Sequence, residues 1–344
     1  MEKRKTVALI YGGEGKEHEI SLLGADFVTS SLMSLKNRGI DTLLIRIEKD
    51  GQWYIHKNEE CTPTFPIKIG GQSGFIKGAE IVPVDCAFPL LHGDFGEDGK
   101  IQGALDSAKI SYVGCGVLAG ALCSDKALTK MIAERLGILT VPWICEDSSA
   151  FSSCYLAKKA YAEKKIGYPM FIKPAEFGSS VGASAVFDGK DFDAAIELAI
   201  KSGAERLLIE KYIEKRRELE CACLVTRDKR IFSRPAEIQS GRFYSYTEKY
   251  SKASEARLIL EPELDARTVE LVRSYSELLV NALCIRDLCR VDFFLSEDQL
   301  YFNEINTMPG FTSSSLYPRL IEREGVATEE LVSLLVDAAL ARKS

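Results

Sequence analysis

Three stretches of the chain carry residues whose types and spacing could do chemistry. The first is RVDFFLSEDQLYFNEINTMPG (290–310). Side chains alternate along a strand, so Arg290, Asp292 and Phe294 share one face, and Phe302, Glu304 and Asn306 share a face of the next strand. A hairpin that pairs Asp292 with Glu304 also pairs Arg290 with Asn306 and Phe294 with Phe302, leaving Glu297-Asp298-Gln299 as a three-residue turn. Two carboxylates and an amide then stand side by side. Like charges placed opposite each other are unfavourable unless cations neutralise them, and an all-oxygen set suits Mg²⁺.

The second stretch is FIKPAEFGSSVG (171–182), in which a strand delivers Lys173, Pro174 ends it, and Gly178-Ser179-Ser180-Val181-Gly182 makes a loop. Glycines let backbone N–H groups approach an anion, hydroxyls add donors, and a lysine at the strand end supplies a point charge for phosphate. A Gly/Ser hairpin with an exposed lysine is the plainer alternative. The third is LLHGDFGEDGKIQG (90–103), where His92 sits at a strand end, the place where α/β sheets bind ligands. Gly114-Cys115-Gly116-Val117-Leu118-Ala119, with Glu134 twenty residues on, has the outline of a dinucleotide fingerprint, but Glu134 falls inside a helical pattern and not at the end of a second strand. Gly12-Gly13-Glu14-Gly15 lacks a third glycine, and no GxxxxGK[ST] loop occurs.

The elements that must hold these residues form two patterns. Over 1–122 strands alternate with helices: KTVALIY (5–11), a helix from about Ser21 to Leu35, DTLLIRI (41–47), VDCAFPLLH (84–92) and ISYVG (110–114), with residues 56–80 a polar, glycine-containing loop region. This predicts a doubly wound α/β unit with a parallel sheet. From Ser124, placed as the cap of a helix over 125–137, the chain runs through strands at 168–174, 182–188, 206–213 and 219–226 with one helix at 191–203 between them. A long helix (264–283), the hairpin and a terminal helix (328–342) follow, so the second half is α+β with largely antiparallel sheets.

Composition sets the outer limits. At roughly 100–200 residues per domain, 344 residues predict two or three packed units. Hydrophobic residues make up 46% and charged ones 27%, which excludes disorder. Lys plus Arg is 44 against 50 Asp plus Glu, a net charge of −6 that argues against a nucleic-acid surface. No apolar run approaches the roughly 18 residues of a membrane span, and KTVALIY reads as a first strand, not a secretory signal. Ten scattered cysteines with no CxxC, and only three histidines, disfavour zinc and fit reduced thiols in a cytoplasmic protein.

In order along the chain, GGEGKEHEIS (12–21), HGDFGEDGKIQG (92–103), SDK (124–126), FIKPAEFGSSVG (171–182), YSYTEKY (244–250) and RVDFF…NEINTMPGFTSSSLYP (290–318) resemble the motifs of D-alanine–D-alanine ligases, members of the ATP-grasp superfamily. The resemblance implies an N-terminal α/β domain (1–122), a central ATP-grasp subdomain (123–205) and a C-terminal subdomain (206–344). It implies that ATP phosphorylates the carboxylate of one D-alanine and that the amine of a second attacks the acyl phosphate. Lys126, Lys173 and Lys249 would serve the nucleotide, Glu210, Lys211 and Ile213 the adenine, and Glu218 the ribose. Asp292, Glu304 and Asn306 would bind two Mg²⁺, or Mn²⁺ in their place. Glu17 would fix the first ammonium with His92 nearby, while Arg290 and the Gly310 N–H would stabilise the oxyanion. Ser315 and Leu316 would hold the second amino acid. Tyr250, on a mobile loop over 240–252, would bond Glu17 and Ser179. Arg216-Arg217 stand where the family commonly has a glycine, and Ser124 where it often has methionine. The resemblance also implies a homodimer in the cytoplasm, without nucleic-acid or membrane partners. A D-alanine–D-serine ligase and a nucleotide-binding protein without ligase activity are the alternatives.

Overall fold

The structure, a computed structural model, describes all residues except 1–3, 58–59, 177, 179–180, 240–256 and 343–344. The N-terminal sheet has the order β4-β3-β2-β1-β8-β9, from β1 (Lys5–Gly12), β2 (Ile40–Ile47), β3 (Trp53–Lys57), β4 (Glu60–Pro63), β8 (Cys86–Leu90) and β9 (Ser111–Tyr112). β2, β1, β8 and β9 run parallel, and β3 and β4 add an antiparallel edge. β1 is apolar on both faces because both are covered. Val7 and Leu9 point into a core shared with helix α1 (His18–Ser34), while Ala8 and Ile10 point into one shared with α2 (Lys100–Ser107).

Residues 56–80 are not the loop expected of them. They contain β4, β5 (Pro66–Ile69) and β6 (Gln72–Lys77), with β7 (Glu80–Pro83) closing the small antiparallel sheet β5-β6-β7. Short strands joined by glycine turns give little periodic signal, but Phe75 is fully buried and stacks on Trp53 with ring centroids 6.4 Å apart. Gly74 is obligatory there, since a Cβ would lie 2.2 Å from the Val82 carbonyl oxygen.

Helices α3 (Val117–Ser124) and α4 (Lys126–Arg135) lead into the second half. The cap of α4 is Asp125, not Ser124: its extended backbone lets the carboxylate accept from the Leu128 N–H at 3.0 Å, whereas Ser124 still belongs to α3 and donates to the Ala121 carbonyl. A second sheet, β10-β13-β11-β12, is wholly antiparallel and comprises β10 (Trp143–Asp147), β11 (Met170–Pro174), β12 (Ser184–Val186) and β13 (Arg206–Lys211). It packs on α6 (Gly189–Lys201) and on α5 (Ser148–Lys165), a long helix absent from the sequence expectation. Only Phe151 and Ala162 of α5 are buried, so it has no apolar stripe to betray it.

The third sheet has the order β17-β16-β14-β18-β19, with β15 (Arg230–Phe232) alongside β14. Its strands are β14 (Arg217–Val225), β16 (Ala236–Gln239), β17 (Arg257–Ile259), β18 (Asp287–Ser296) and β19 (Gln299–Asn306). One face carries Leu219, Cys221, Cys223, Cys289, Val291 and Phe293 against α3, α4 and the helix Ala266–Ala282. The helices Leu316–Arg323 and Thr328–Ala341 do not stay with this sheet alone. Leu320, Leu331, Leu335 and Ala339 share a core with Val7 and Leu9 of β1.

The expected hairpin forms with one correction. Arg290 faces Asn306 and Asp292 faces Glu304, but a bulge follows, so Phe293 and not Phe294 faces Phe302, and the turn shrinks to Glu297-Asp298. Burial along β19 alternates except at Asn303 and Glu304, which are both half-buried. The extra residue reverses the phase: Phe302 enters the core against Phe293, while Glu304 stays on the face of Asp292.

Asp287 joins the parts of the chain at the foot of β18. Only 1% exposed, its carboxylate takes the Gly114 N–H at 2.7 Å and two guanidinium nitrogens of Arg342 at 2.8 and 2.6 Å. Arg342→Met leaves a buried carboxylate short of its cation and is expected to cost about 3–5 kcal/mol in denaturant unfolding, with Asp287→Asn added on top recovering part of the loss. Unchanged stability in the single variant would contradict this role.

Candidate active site

A cleft opens between the second and third sheets. Its walls include Phe171 and Lys173 of β11, Glu210 and Lys211 of β13, Tyr212, Ile213 and Arg216 after it, Glu218 and Glu220 of β14, Arg290 and Asp292 of β18, Glu304 of β19 and Lys126 of α4. A smaller hollow lined by Asp94, Glu97, Lys126, Glu304 and Asn306 adjoins it through Lys126 and Glu304.

The charges in the cleft are paired. Arg290 grips Asp292 with two bonds of 2.7 Å and lies 3.0 Å from Glu220. Asn306 donates to the same Asp292 carboxylate at 3.0 Å. Lys126 stands 3.8 Å from Glu304. Burial works against the Arg290 guanidinium, but Asp292 and Glu220 outweigh it and hold the group fully protonated. Burial lowers the Lys126 ammonium, with Glu304 opposing the shift. Glu218, salt-bridged to Arg216 at 2.9 Å, is nonetheless raised by burial. Arg216 lies against the rings of Tyr212 and Phe294 at 4.9 and 4.8 Å and donates to the Ile213 carbonyl.

Glu210, expected in an adenine hinge, has its side chain engaged elsewhere. Its side chain bridges Lys130 and Lys173, each at 2.7 Å, so any contact it makes with a base must come from its backbone. Lys211 likewise directs its ammonium to the carbonyl oxygens of Gly167 and Tyr168.

Asp292, Glu304 and Asn306 offer hard oxygen donors on one face, beside cations. Among the described residues no three His, Cys, Asp or Glu side chains converge to hold a metal. Two carboxylates and an amide cannot complete an octahedron, so they fit Mg²⁺ that takes its remaining ligands from phosphate and water.

Next to Gly93 and Thr307, which line the smaller hollow, His92 Nδ1 lies 2.9 Å from the Met308 carbonyl oxygen. Glu17, at the start of α1, borders Gly93 so closely that a Cβ there would stand 2.4 Å from its carboxylate. Glu97, which sequence reasoning left out of the site, accepts from the Met308 and Gly93 N–H groups at 2.7 and 3.1 Å. Burial and then the Glu17 charge push its carboxyl up to about 8 against those two bonds. Ser315 accepts from the Thr312 N–H at 2.9 Å, and a Cβ on Gly310 would lie 3.0 Å from its hydroxyl. Leu316 is buried in the core with Phe311 and Tyr317. Ser179, Lys249, Tyr250 and the 240–252 loop lie outside the described residues.

Other residues missed by the sequence reading were reachable through spacing. Lys130 follows Lys126 by four on α4 and so shares its face. Glu220 follows Glu218 by two on β14 and faces Asp292 across the strand pair.

Burial alone would raise Glu210, but Lys130 and Lys173 outweigh it and hold the carboxyl at about 2. A depressed carboxyl contributes stability that is present above its unfolded value, near 4.3, and is lost as pH falls toward 2. Glu210→Gln should therefore be less stable than the parent at neutral pH by about 3–5 kcal/mol, and the gap should close between roughly pH 4.3 and 2 in denaturant titrations. A gap independent of pH would refute the pairing.

Two family models match the chain, "D-ala D-ala ligase N-terminus" over residues 6–115 and "D-ala D-ala ligase C-terminus" over 132–337. D-alanine–D-alanine ligase from Treponema pallidum (strain Nichols) is 37% identical over 98% of this chain and 88% of its own length. That from Thermoanaerobacter sp. (strain X514) is 34% identical over 99% and 97%. Among solved structures, D-alanyl-alanine synthetase A from Vibrio cholerae superposes with a TM-score of 0.87 at 32% identity, covering 99% of this chain and all of that one. The VanG D-Ala:D-Ser ligase from Enterococcus faecalis gives 0.88 at 30% identity, covering 98% and 100%. With both halves of the chain matched and relatives aligned along nearly its whole length, the chain belongs to the D-alanine–D-alanine ligase family.

Proposed function

We propose that this chain is an ATP-dependent ligase that joins two D-alanines for peptidoglycan precursor synthesis. The observation that carries the reading is the facing pair Asp292–Glu304, set in one cleft with Lys126, Lys173 and Arg290. ATP would lie between the second and third sheets, with its base toward Ile213 and its ribose toward Glu218. Mg²⁺ held by Asp292, Glu304 and Asn306 would offset charge during phosphoryl transfer. The γ-phosphoryl group passes to a carboxylate oxygen of the first D-alanine and ADP leaves. The amine of the second D-alanine, having lost a proton, attacks the acyl carbon, and phosphate departs as the peptide bond forms.

In this reading Glu17, with His92 beside it, binds the first ammonium. Arg290 and the Gly310 N–H meet the oxyanion, and Ser315 meets the second carboxylate. The division at 122/123 and 205/206 and a homodimeric assembly belong to the same proposal. So does a cytoplasmic location: no helix among the described residues is long and apolar enough to cross a membrane, and all ten cysteines are free thiols. The likeness to the VanG enzyme favours a second reading, with D-serine as the second substrate.

Phosphate release with ATP, Mg²⁺ and D-alanine tests the main proposal directly. Glu304→Gln removes a charge from a half-buried position, so activity should fall by at least about a hundredfold while the melting temperature changes little. Retained activity would remove the metal role. In this reading Leu316 offers the second side chain an apolar neighbour, and burying an unpaired hydroxyl costs about 1–3 kcal/mol, favouring D-alanine over D-serine by about ten- to a hundredfold. With equimolar D-alanine, D-serine and D-lactate at neutral pH, mass analysis should show D-alanyl-D-alanine as the main product. An excess of D-alanyl-D-serine would transfer the assignment to the second reading.

A further inference from the structure

Lys130 has no part in the chemistry above, yet it is a fully buried lysine one helical turn beyond Lys126. Its ammonium lies 2.7 Å from one oxygen of Glu210, and the other oxygen lies 2.7 Å from the Lys173 ammonium. Side-chain exposures are 0% for Lys130, 3% for Glu210 and 11% for Lys173, and the cleft is lined by Lys173 and Glu210 but not by Lys130, which acts on it only through Glu210. Two ammoniums share one carboxylate, and the three groups together carry one positive charge. Lys173 also approaches the Asn303 amide oxygen at 3.4 Å, a neutral partner that leaves this sum unchanged.

The count changes sharply if Lys130 is removed. Glu210 would then turn its full charge on Lys173, and the wall facing the nucleotide would lose its net cation. In a low-dielectric site one unit of charge a few ångströms from a phosphate matters far more than it would in water. Burial also weakens the hold of Lys130 on its own proton, a cost that packing alone gives no reason to bear and that an apolar side chain would avoid.

We propose that Lys130 is a positioning residue for phosphate binding: it takes half of the Glu210 carboxylate and so leaves the wall at Lys173 with a net positive charge toward the nucleotide. The proposal rests on the nucleotide site of the preceding section and deepens it.

The test uses the full chain and compares parent, Lys130→Met, Lys130→Arg and the double variant Lys130→Met/Glu210→Gln. Calorimetry measures ATP and adenosine binding, which needs no D-alanine, and phosphate release gives KM and kcat. Lys130→Met should weaken ATP about tenfold or more while adenosine binding holds, with the effect in KM for ATP more than in kcat. The double variant again leaves a net single positive charge and should recover ATP affinity to within about threefold of the parent, although it lacks two buried partners. Lys130→Arg keeps the charge and should stay near the parent. Equal losses for ATP and adenosine, or a double variant that binds ATP no better than Lys130→Met, would overturn the proposal. If D-alanine elicits no phosphate release from the parent, the ligase reading fails while the binding measurements still decide the role of Lys130. Melting curves identify any variant that has failed to fold, in which case Lys130→Gln replaces Lys130→Met in both positions of the comparison.

Discussion

Carboxylates crowded onto one face of a sheet repel unless each meets a cation, and this condition organises the cleft. Glu218, Glu220, Asp292 and Glu304 all lie on adjoining strands, and Glu210 stands across from them. Arg216, Arg290, Lys126, Lys130 and Lys173 answer them pair by pair. Breaking one such buried pair would leave an uncompensated charge, a far larger penalty than the net gain from forming it. The arrangement therefore needs every strand and α4 in register at once. The β19 bulge is the local solution: it sends Phe302 into the core and still leaves Glu304 facing Asp292.

That same condition explains what was legible in the sequence. Two acids spaced for a hairpin could face each other only if they served a common cation, so the pairing of Asp292 with Glu304 followed from parity and charge. The bulge did not, because an inserted residue leaves no mark in composition, and strict alternation misplaced Phe302. Strand–helix alternation disclosed the parallel sheet, as β1 had to be apolar on both faces. The small β5-β6-β7 sheet and α5 were hidden for the opposite reason: neither presents a regular apolar face long enough to stand out. Lys130 and Glu97 were overlooked because a charged residue reads as solvent-facing until its partners, distant in sequence, are known.

The family resemblance named most of the residues that meet in the cleft, but it could not say how their side chains are engaged. Glu210 is such a case. Its carboxylate is committed to two lysines, and what the cleft wall offers beside it is the backbone of β13 and the aromatic surface of Tyr212 and Phe171. Arg216 is another. The glycine commonly found there leaves space, whereas here a guanidinium packs against two rings and ties Glu218 to the Ile213 carbonyl.

The core shared by β1 and the helix Thr328–Ala341 has a consequence for how the protein is made. Val7 and Leu9 leave the ribosome more than three hundred residues before Leu331 and Leu335, which complete their burial. At about 5–20 residues per second the delay is on the order of tens of seconds. Through that interval the nascent N-terminal half carries an apolar face covered on one side only by α1, a surface suited to capture by a holdase chaperone. Closure of this face therefore waits on residues 328–341, and a chain lacking them would leave Val7 and Leu9 with part of their cover missing.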